Sequence, residues 1–222
     1  MKITWLGHGS FRFAIADQVL LIDPWFTGNP VFPENRRDEA VAGATHILLT
    51  HGHGDHASEA VSLGLPVAGM FELMNWCEAK GCKTTGFNKG GTIRLGDVAV
   101  TMVNAQHSST APDGSPAGSE AGFMIAGEGH RLYFSGDTDI MADMGWMGEL
   151  HAPDIGILSA GGRYTMDMAR AAWAAKRFFN FKTVIPGHYR TFPALEQSAD
   201  ALVAALPGVR VLAPEVMETV TI

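Results

Sequence analysis

The chain has 222 residues, of which 46% are hydrophobic and 18% are charged. This length and composition predict one globular domain spanning residues 1–222, with one sizeable core. The formal net charge of −7 argues against a partner bound through a nucleic-acid backbone. The N-terminus lacks the apolar segment of a secretion signal, and no stretch is long enough for a membrane helix. We therefore expect a cytoplasmic protein without a membrane partner.

The cysteine content is also typical of a cytoplasmic protein. Cys77 and Cys82 are the only two cysteines. Two cysteines in a chain of this size do not make a disulfide framework, and their spacing does not indicate a metal site. We expect both to be reduced and structural.

Short β-rich runs open the chain, and we predict strands over 2–6, 11–16 and 19–22. His8 follows the first run between two glycines. Asp23 follows the third run and precedes Pro24, so it either initiates a turn or accepts the N–H of a metal-binding histidine. We predict a loop over 24–44, whose aromatic residues could wall a pocket, pack on the surface or contact another subunit.

The largest cluster of potential metal ligands follows the apolar run 46–49, which we predict to be a buried strand. His51, His53, Asp55 and His56 fall within six residues directly after it. In extended chain, residues two apart point to the same side, so His51 and His53 can face one point. Imidazole nitrogens with a carboxylate suit zinc, and also manganese or iron.

The rest of the chain alternates further strands with a few helices. We predict helices at 57–63, 71–80, 167–178 and 193–206, and strands at 66–69, 92–95, 98–103, 122–126, 131–134, 154–158, 183–185, 209–212 and 216–222. Two β-rich halves, each completed by helices, fit an αββα sandwich. Residues 109–120, rich in Ser, Pro, Gly and Ala, predict a mobile loop near the site.

Three later strands also end at residues that suit a metal: His107, Asp137 and His188. Loops that converge at the edge of packed sheets are a usual place for a site. Spacing supports these three positions less strongly than the first cluster. We expect the other histidines after the first strand, at positions 46, 130 and 151, to take no part.

The segment 50–56 matches the H-x-H-x-D-H signature of the metallo-β-lactamase superfamily. Two further segments, WLGHGS at 5–10 and GGRYTM at 161–166, narrow the match. They resemble the small, single-domain metal-dependent hydrolases related to ascorbate-6-phosphate lactonase, and more distantly N-acylphosphatidylethanolamine phospholipase D. The resemblance covers essentially the whole chain and implies a four-layer αββα sandwich. It specifies fold and metal more closely than substrate.

The resemblance also implies roles for individual residues. It assigns His51, His53 and His107 to a first metal, Asp55, His56 and His188 to a second, and Asp137 to a bridge between them. Asp55 and His8, which lies beside the metals in the resembling group, are the candidate catalytic residues. Two divalent ions are expected, with zinc as the first choice and manganese or iron as alternatives.

The function that follows is hydrolysis of a small ester, lactone or phosphodiester by a metal-bound hydroxide in a binuclear centre. His8, Tyr189 or Thr165 could stabilise the oxyanion, and Arg163 or Arg190 could meet a substrate phosphate or carboxylate. A metal-dependent RNA-processing nuclease and a diiron oxidoreductase are the alternatives within the same fold. The diiron enzyme would want a carboxylate where this chain has His53. The expected partner is a small-molecule substrate. The sequence permits a homo-oligomer but does not decide the oligomeric state.

Overall fold

Two seven-stranded sheets form the centre of the computed structural model, which describes residues 1–222. The first sheet contains β1 (Lys2–Trp5), β2 (Phe11–Ile15), β3 (Gln18–Ile22), β4 (His46–Leu49), β5 (Val67–Met70), β6 (Thr84–Phe87) and β14 (Thr219–Thr221). The second contains β7 (Thr92–Leu95), β8 (Val98–Asn104), β9 (Ala121–Gly127), β10 (His130–Phe134), β11 (Ile155–Ser159), β12 (Thr183–Gly187) and β13 (Arg210–Val211). The helices are α1 (Arg37–Val41), α2 (Gly54–Ala57), α3 (Phe71–Ala79), α4 (Asp143–His151), α5 (Met168–Phe178) and α6 (Asp200–Ala205).

Each sheet is antiparallel in one half and parallel in the other. The first sheet has the order β14-β1-β2-β3-β4-β5-β6, with parallel pairing from β3 onward. The second has the order β13-β12-β11-β10-β9-β8-β7, with parallel pairing from β13 to β10. Parallel strands place their carboxyl ends at one edge of a sheet, where ligand sites form in open α/β sheets.

The sheets pack face to face through large apolar side chains. Phe11 and Phe13 of β2 bring their rings to 5.7 and 6.2 Å from the ring of Phe134 on β10. Helix α3 contacts β5 and β6 on the outer side of the first sheet, and α5 contacts β11 of the second, with α4 and α6 beside it. The layers are helix, sheet, sheet and helix, which confirms the predicted αββα fold.

The helix predicted over 57–63 is wrong. Helix α2 begins earlier, at Gly54, and ends at Ala57, and turns follow it. Beyond Ala57 the backbone bonds from Ala60 to Ala57 and from Leu63 to Glu59 form separate turns, and the buried Glu59 carboxylate accepts from the Thr27 amide and from Arg37. Asp55 and His56 therefore lie within the short helix rather than before it.

The helix predicted over 193–206 covers only Asp200–Ala205. In the preceding segment, the amide of Glu196 donates to the carbonyl of Gly161, and the carbonyl of Glu196 accepts from Arg190. These long-range backbone bonds replace those of a helix. Strand β6 and helices α1 and α4 are present although the sequence patterns did not predict them. No helix has the length and apolar character needed to cross a membrane.

Candidate metal centre

The chain ends of several strands bring six of the nine histidines to one edge of the sandwich. The loop after β1 carries His8, and the loop after β4 carries His51 and His53, with Asp55 and His56 in α2. The loops after β8, β10 and β12 carry His107, Asp137 and His188. The structure thus brings together His8 and the seven residues that the sequence assigned as metal ligands.

The donor atoms of the candidate ligands form two groups that share no residue, each with atoms within 4.8 Å of one another, and a third set, Asp23 with His51 and His56, spans the two. One group contains His51, His53 and His107, and the distance from Nε2 of His51 to Nδ1 of His53 is 3.0 Å. Two nitrogens bound tetrahedrally to zinc at 2.0–2.1 Å would be about 3.3 Å apart, so this spacing suits a shared ion. The second group contains Asp55, His56 and His188, together with His8.

Asp137 lies between the two groups. Its Oδ2 is 2.9 Å from Nε2 of His188 and 3.4 Å from Nε2 of His56, which belong to the second group. The same oxygen is 3.7 Å from Nε2 of His107 in the first group. The carboxylate is buried, and the histidines His188 and His56 hold its pKa well below the ordinary value despite that burial. A charged oxygen is therefore available to both groups.

Asp23 sets the orientation of one histidine in each group. Its Oδ2 accepts the Nδ1–H of His56 at 2.8 Å and the hydroxyl of Thr50 at 2.5 Å. Because the Thr50 hydroxyl donates to Asp23, its oxygen accepts from Nδ1 of His51 at 3.0 Å. Both histidines then direct Nε2 into the site. This arrangement supports the interpretation of Asp23 as a carboxylate that fixes the tautomer of a histidine.

His8 is buried and contacts the second group through Asp55. Its Nε2 is 2.9 Å from Oδ2 of Asp55, and its Nδ1 is 2.9 Å from Oγ1 of Thr191. Burial and the nearby His188 lower the pKa of His8 to about 4, although the contact with Asp55 raises it. Neutral His8 therefore donates from Nε2 to ionised Asp55. The Thr191 hydroxyl lies between Nδ1 of His8 at 2.9 Å and the carbonyl of Tyr189 at 3.1 Å, so its one proton serves one of these two acceptors at a time.

The electrostatic surroundings of His56 favour a cation at this site. Nε2 of His56 is buried and has no hydrogen-bond partner. Burial lowers the pKa of His56, but the carboxylates of Asp137, Asp23 and Asp55 outweigh it and hold the pKa well above the ordinary value. The surroundings thus favour a positive charge at this nitrogen, which either a proton or a bound metal ion supplies.

The backbone at the site is held in an uncommon conformation. His8, Asp23 and His188 have φ angles of 53°, 47° and 58°, in the left-handed region. Non-glycine residues in such regions cost about 1–3 kcal/mol each and concentrate at functional sites. The amide of His188 donates to the carbonyl of His8 at 2.8 Å, so two of these residues support each other across the sheets.

The site opens on the side of His53, Asp55 and His107. Asp55 is 32% exposed, whereas the side chains of His51, His56 and His188 are buried. The loop 109–120, which the sequence predicted to be mobile, is anchored beside this opening. Its Ser109 accepts from the Gly52 amide at 3.2 Å, and its Asp113 accepts from Nε1 of Trp76 at 2.9 Å.

The other residues that the sequence suggested for oxyanion stabilisation or substrate binding lie outside the cluster of candidate metal ligands. Arg190 forms a two-pronged ion pair with Glu215, so its charge is already matched within the chain. The Thr165 hydroxyl accepts from Gly161 and donates to Met166, inside its own turn. Arg163 is exposed and borders an open groove next to Gly161. The buried Tyr189 ring stacks on Trp5 at 5.1 Å.

The three histidines expected to take no part lie in other surroundings. His46 contacts Gln18 at 3.1 Å, His130 contacts Asp154 at 2.9 Å, and His151 ends α4. Sequence reasoning missed Thr50 and Thr191, whose hydroxyls contact His51 and His8. The position of Thr50 directly before His51 was a usable signal. No local pattern marks Thr191, which is 183 residues from its partner.

Comparisons with known proteins identify the family of the chain. Residues 2–188 match the family model described as a beta-lactamase superfamily domain. The chain is 65% identical to a UPF0173 metal-dependent hydrolase of Dinoroseobacter shibae, over 99% of each chain. It is 63% identical to one from Cereibacter sphaeroides, over 100% of each chain.

A solved structure extends the agreement to three dimensions. Igni18, described as a novel metallo hydrolase from the hyperthermophilic archaeon Ignicoccus hospitalis, superposes with a TM-score of 0.86 at 30% identity. The match covers 99% of this chain and 97% of that one. The fold, the converging histidines and these relatives lead to one conclusion: the chain belongs to the beta-lactamase superfamily, as one of its UPF0173 metal-dependent hydrolases.

Proposed function

We propose that the chain is a binuclear hydrolase that cleaves a small ester, lactone or phosphodiester. The observation that carries this proposal is the position of Asp137, whose single oxygen Oδ2 lies within 3.7 Å of histidines from both donor groups. A carboxylate so placed can be shared by two cations. His51, His53 and His107 would hold the first, and Asp55, His56 and His188 the second.

The donor chemistry favours zinc, and manganese or iron fit the same ligands. When bound, a pair of divalent cations supplies Lewis acidity to a carbonyl or phosphoryl oxygen and favours deprotonation of water near neutral pH. The buried residues of the site exclude bulk water from this chemistry. The opening at Asp55 admits the scissile bond of the substrate.

Asp55 is the residue that we assign to the nucleophilic water. Its Oδ2 accepts from His8, whereas no donor of the chain bonds to its Oδ1. The partly exposed Oδ1 can therefore accept a hydrogen bond from water and hold that water against the scissile bond. His8 keeps the carboxylate in this orientation and is proposed as its positioning partner.

An aromatic wall packs against His8, the proposed positioning partner of Asp55. The rings of Trp25 and Phe192 are 5.2 and 5.6 Å from the His8 ring and 6.0 Å from each other. Phe192 is half-buried. This wall supports a substrate with an apolar group next to the scissile bond. Exposed Arg163, in the groove next to Gly161, is the candidate to bind an anionic group of the substrate.

The test is a comparison of initial rates on chromogenic esters, lactones and phosphodiesters, with protein reconstituted with zinc or manganese. We expect hydrolysis of at least one class and none in the metal-free protein. Visible absorption with iron-dependent oxidation and no hydrolysis would instead support the diiron alternative. Salt-sensitive RNA cleavage with no small-molecule turnover would support the nuclease alternative.

A further inference from the structure

Three large apolar side chains stand exposed on α4 and α5, two of the helices that cover the second sheet. Trp146 and Leu150 of α4 are 45% and 70% exposed, and Trp173 of α5 is 50% exposed. Trp146 and Leu150 are four residues apart, so they lie on the same face of α4. Contiguous exposed apolar surface on a folded chain marks an interaction site more often than scattered single residues do.

Phe178 lies between Trp173 of α5 and the first turn of α4. Its ring lies 5.6 Å from the ring of Trp173 and packs against Gly145, the residue before Trp146. The absence of a side chain at Gly145 and Gly148 lets the end of α5 approach α4 this closely. We call the surface formed by Trp146, Leu150, Trp173 and Phe178 the tryptophan face.

The two helices of the tryptophan face carry opposite charges. Helix α4 contains Asp143 and Glu149 and no lysine or arginine, for a formal charge of −2. Helix α5 contains Arg170, Lys176 and Arg177 and no acidic residue, for a formal charge of +3.

Most of these charges are unmatched within the chain. Glu149, Lys176 and Arg177 are exposed and form no ion pair. Arg170 has only a 3.6 Å contact with the exposed Asp139. Acidic and basic helices side by side are thus both free to meet a partner.

We propose that the tryptophan face is a homodimer interface, on which a second copy of this chain packs through a two-fold axis. A two-fold axis can place α4 of each copy against α5 of its partner. The contact between an acidic and a basic helix then occurs twice in the interface. A partner of uniform charge would be attracted by one helix and repelled by the other. The self-complementary pattern therefore favours a second copy over a different macromolecule.

The size of the surface agrees with this occupant. The three exposed side chains offer on the order of 100 Å² each, which is about half of a large side chain. A standard interface buries about 800 Å² per partner, with tryptophans at its centre and a polar rim. The tryptophan face supplies the apolar centre, and the charged sides of α4 and α5 supply the rim.

The test is sedimentation velocity of the full chain over a range of concentrations. We expect a species of twice the 23.7 kDa chain mass. Trp146→Glu and Trp173→Glu should each raise the dimer dissociation constant roughly 30-fold or more, because each places a charge in the centre of the interface twice. Phe71→Glu is the matched control, since Phe71 is 54% exposed but lies on α3 over the other sheet.

Charge reversal tests the complementarity separately. Glu149→Lys should weaken the dimer, and adding Lys176→Glu and Arg177→Glu should restore it. Circular dichroism checks that each variant is folded, which these exposed positions permit. A wild-type monomer at all concentrations would overturn the proposal, and so would a dimer that Trp146→Glu leaves intact. The readout is assembly, so it is independent of the proposed hydrolysis.

Discussion

Asp23 and His56 lie 2.8 Å apart, Oδ2 to Nδ1, and the same carboxylate oxygen holds Thr50, which in turn contacts His51. One buried aspartate therefore controls a histidine in each of the two donor groups. A carboxylate in this position can only accept hydrogen bonds. It forces the proton of each imidazole onto Nδ1, and it leaves Nε2 free for a metal ion.

Asp23→Asn should weaken binding of both metal ions without changing the shape of the site. The new amide N–H would face Nδ1 of His56 and move the histidine proton to Nε2. Loss of such partners typically costs 10–100-fold in metal affinity or activity, and we expect about that for both ions. Chelator competition measures the two affinities.

Thr50→Val is the matched variant, because it removes the hydroxyl that links Asp23 to His51 and leaves the bond between Asp23 and His56 in place. It should weaken the first metal and spare the second. If Asp23→Asn lowered only one affinity, or if both affinities stayed at the wild-type value, the shared control by Asp23 would be wrong.

His8 and Thr191 should act as a pair. His8→Ala removes the donor to Asp55, and we expect kcat to fall by about 10–100-fold. His8→Gln keeps an N–H donor of similar reach and should retain more of the rate. Thr191→Val should lower kcat through loss of the hydroxyl, and Thr191→Ser should restore it.

Steady-state kinetics with metal-loaded protein separates these variants. We expect changes in kcat at nearly constant KM, because His8 acts on Asp55 and not on the substrate. A Thr191→Val protein with wild-type kcat would show that the hydroxyl does not position His8.

Gly52 and Gly54 interleave the metal-site residues, but only one of them is packed. A Cβ at Gly52 would lie 2.7 Å from the carbonyl oxygen of Thr110 and from Ala117 Cβ, whereas a Cβ at Gly54 meets nothing within 4 Å. Gly52→Ala should push the 109–120 loop away and lower the free energy of unfolding by about 1–3 kcal/mol. Gly54→Ala, in the first turn of α2, should be neutral or stabilise by up to about 1 kcal/mol.

Urea unfolding of both variants measures the difference. Equal destabilisation by the two substitutions would contradict the proposed packing of the loop on Gly52. We expect Gly52→Ala also to lower activity, because the displaced loop 109–120 begins two residues after His107.

Cys77 should be unreactive in the folded protein. Burial raises the pKa of its thiol to about 12, and burial also raises the pKa of Cys82. A raised pKa leaves less thiolate at pH 8 than in a free cysteine, so labelling must be slower. We expect slow reaction with Ellman's reagent in the native state and two rapid equivalents in urea. Rapid stoichiometric labelling of the native protein would contradict this.

Much of the site was predictable because its chemistry is local. The cluster from His51 to His56 is readable in six consecutive residues, and a strand followed by a loop explains why its side chains converge. His107, Asp137 and His188 follow the same rule at other strand ends. That they meet at one point depends on the pairing of β8, β10 and β12 with their neighbours, which no short window of sequence contains.

The elements and contacts that the sequence did not predict also have physical causes. Helix α4 contains two glycines, which lower helix propensity, and its stability comes from packing of Met144, Met147 and Phe178. Strand β6 is short and largely exposed at a sheet edge, so its side chains show no alternation of burial. Thr191 reaches His8 only through the tertiary fold.

The most direct test of a binuclear hydrolase is to titrate metal-free protein with zinc while counting bound ions and measuring rate. We expect two ions per wild-type chain, and hydrolysis that appears only as the second ion binds. His107→Ala should bind fewer ions and lose hydrolysis at the same time. Full activity with one bound ion per chain, in either protein, would contradict the shared role of Asp137.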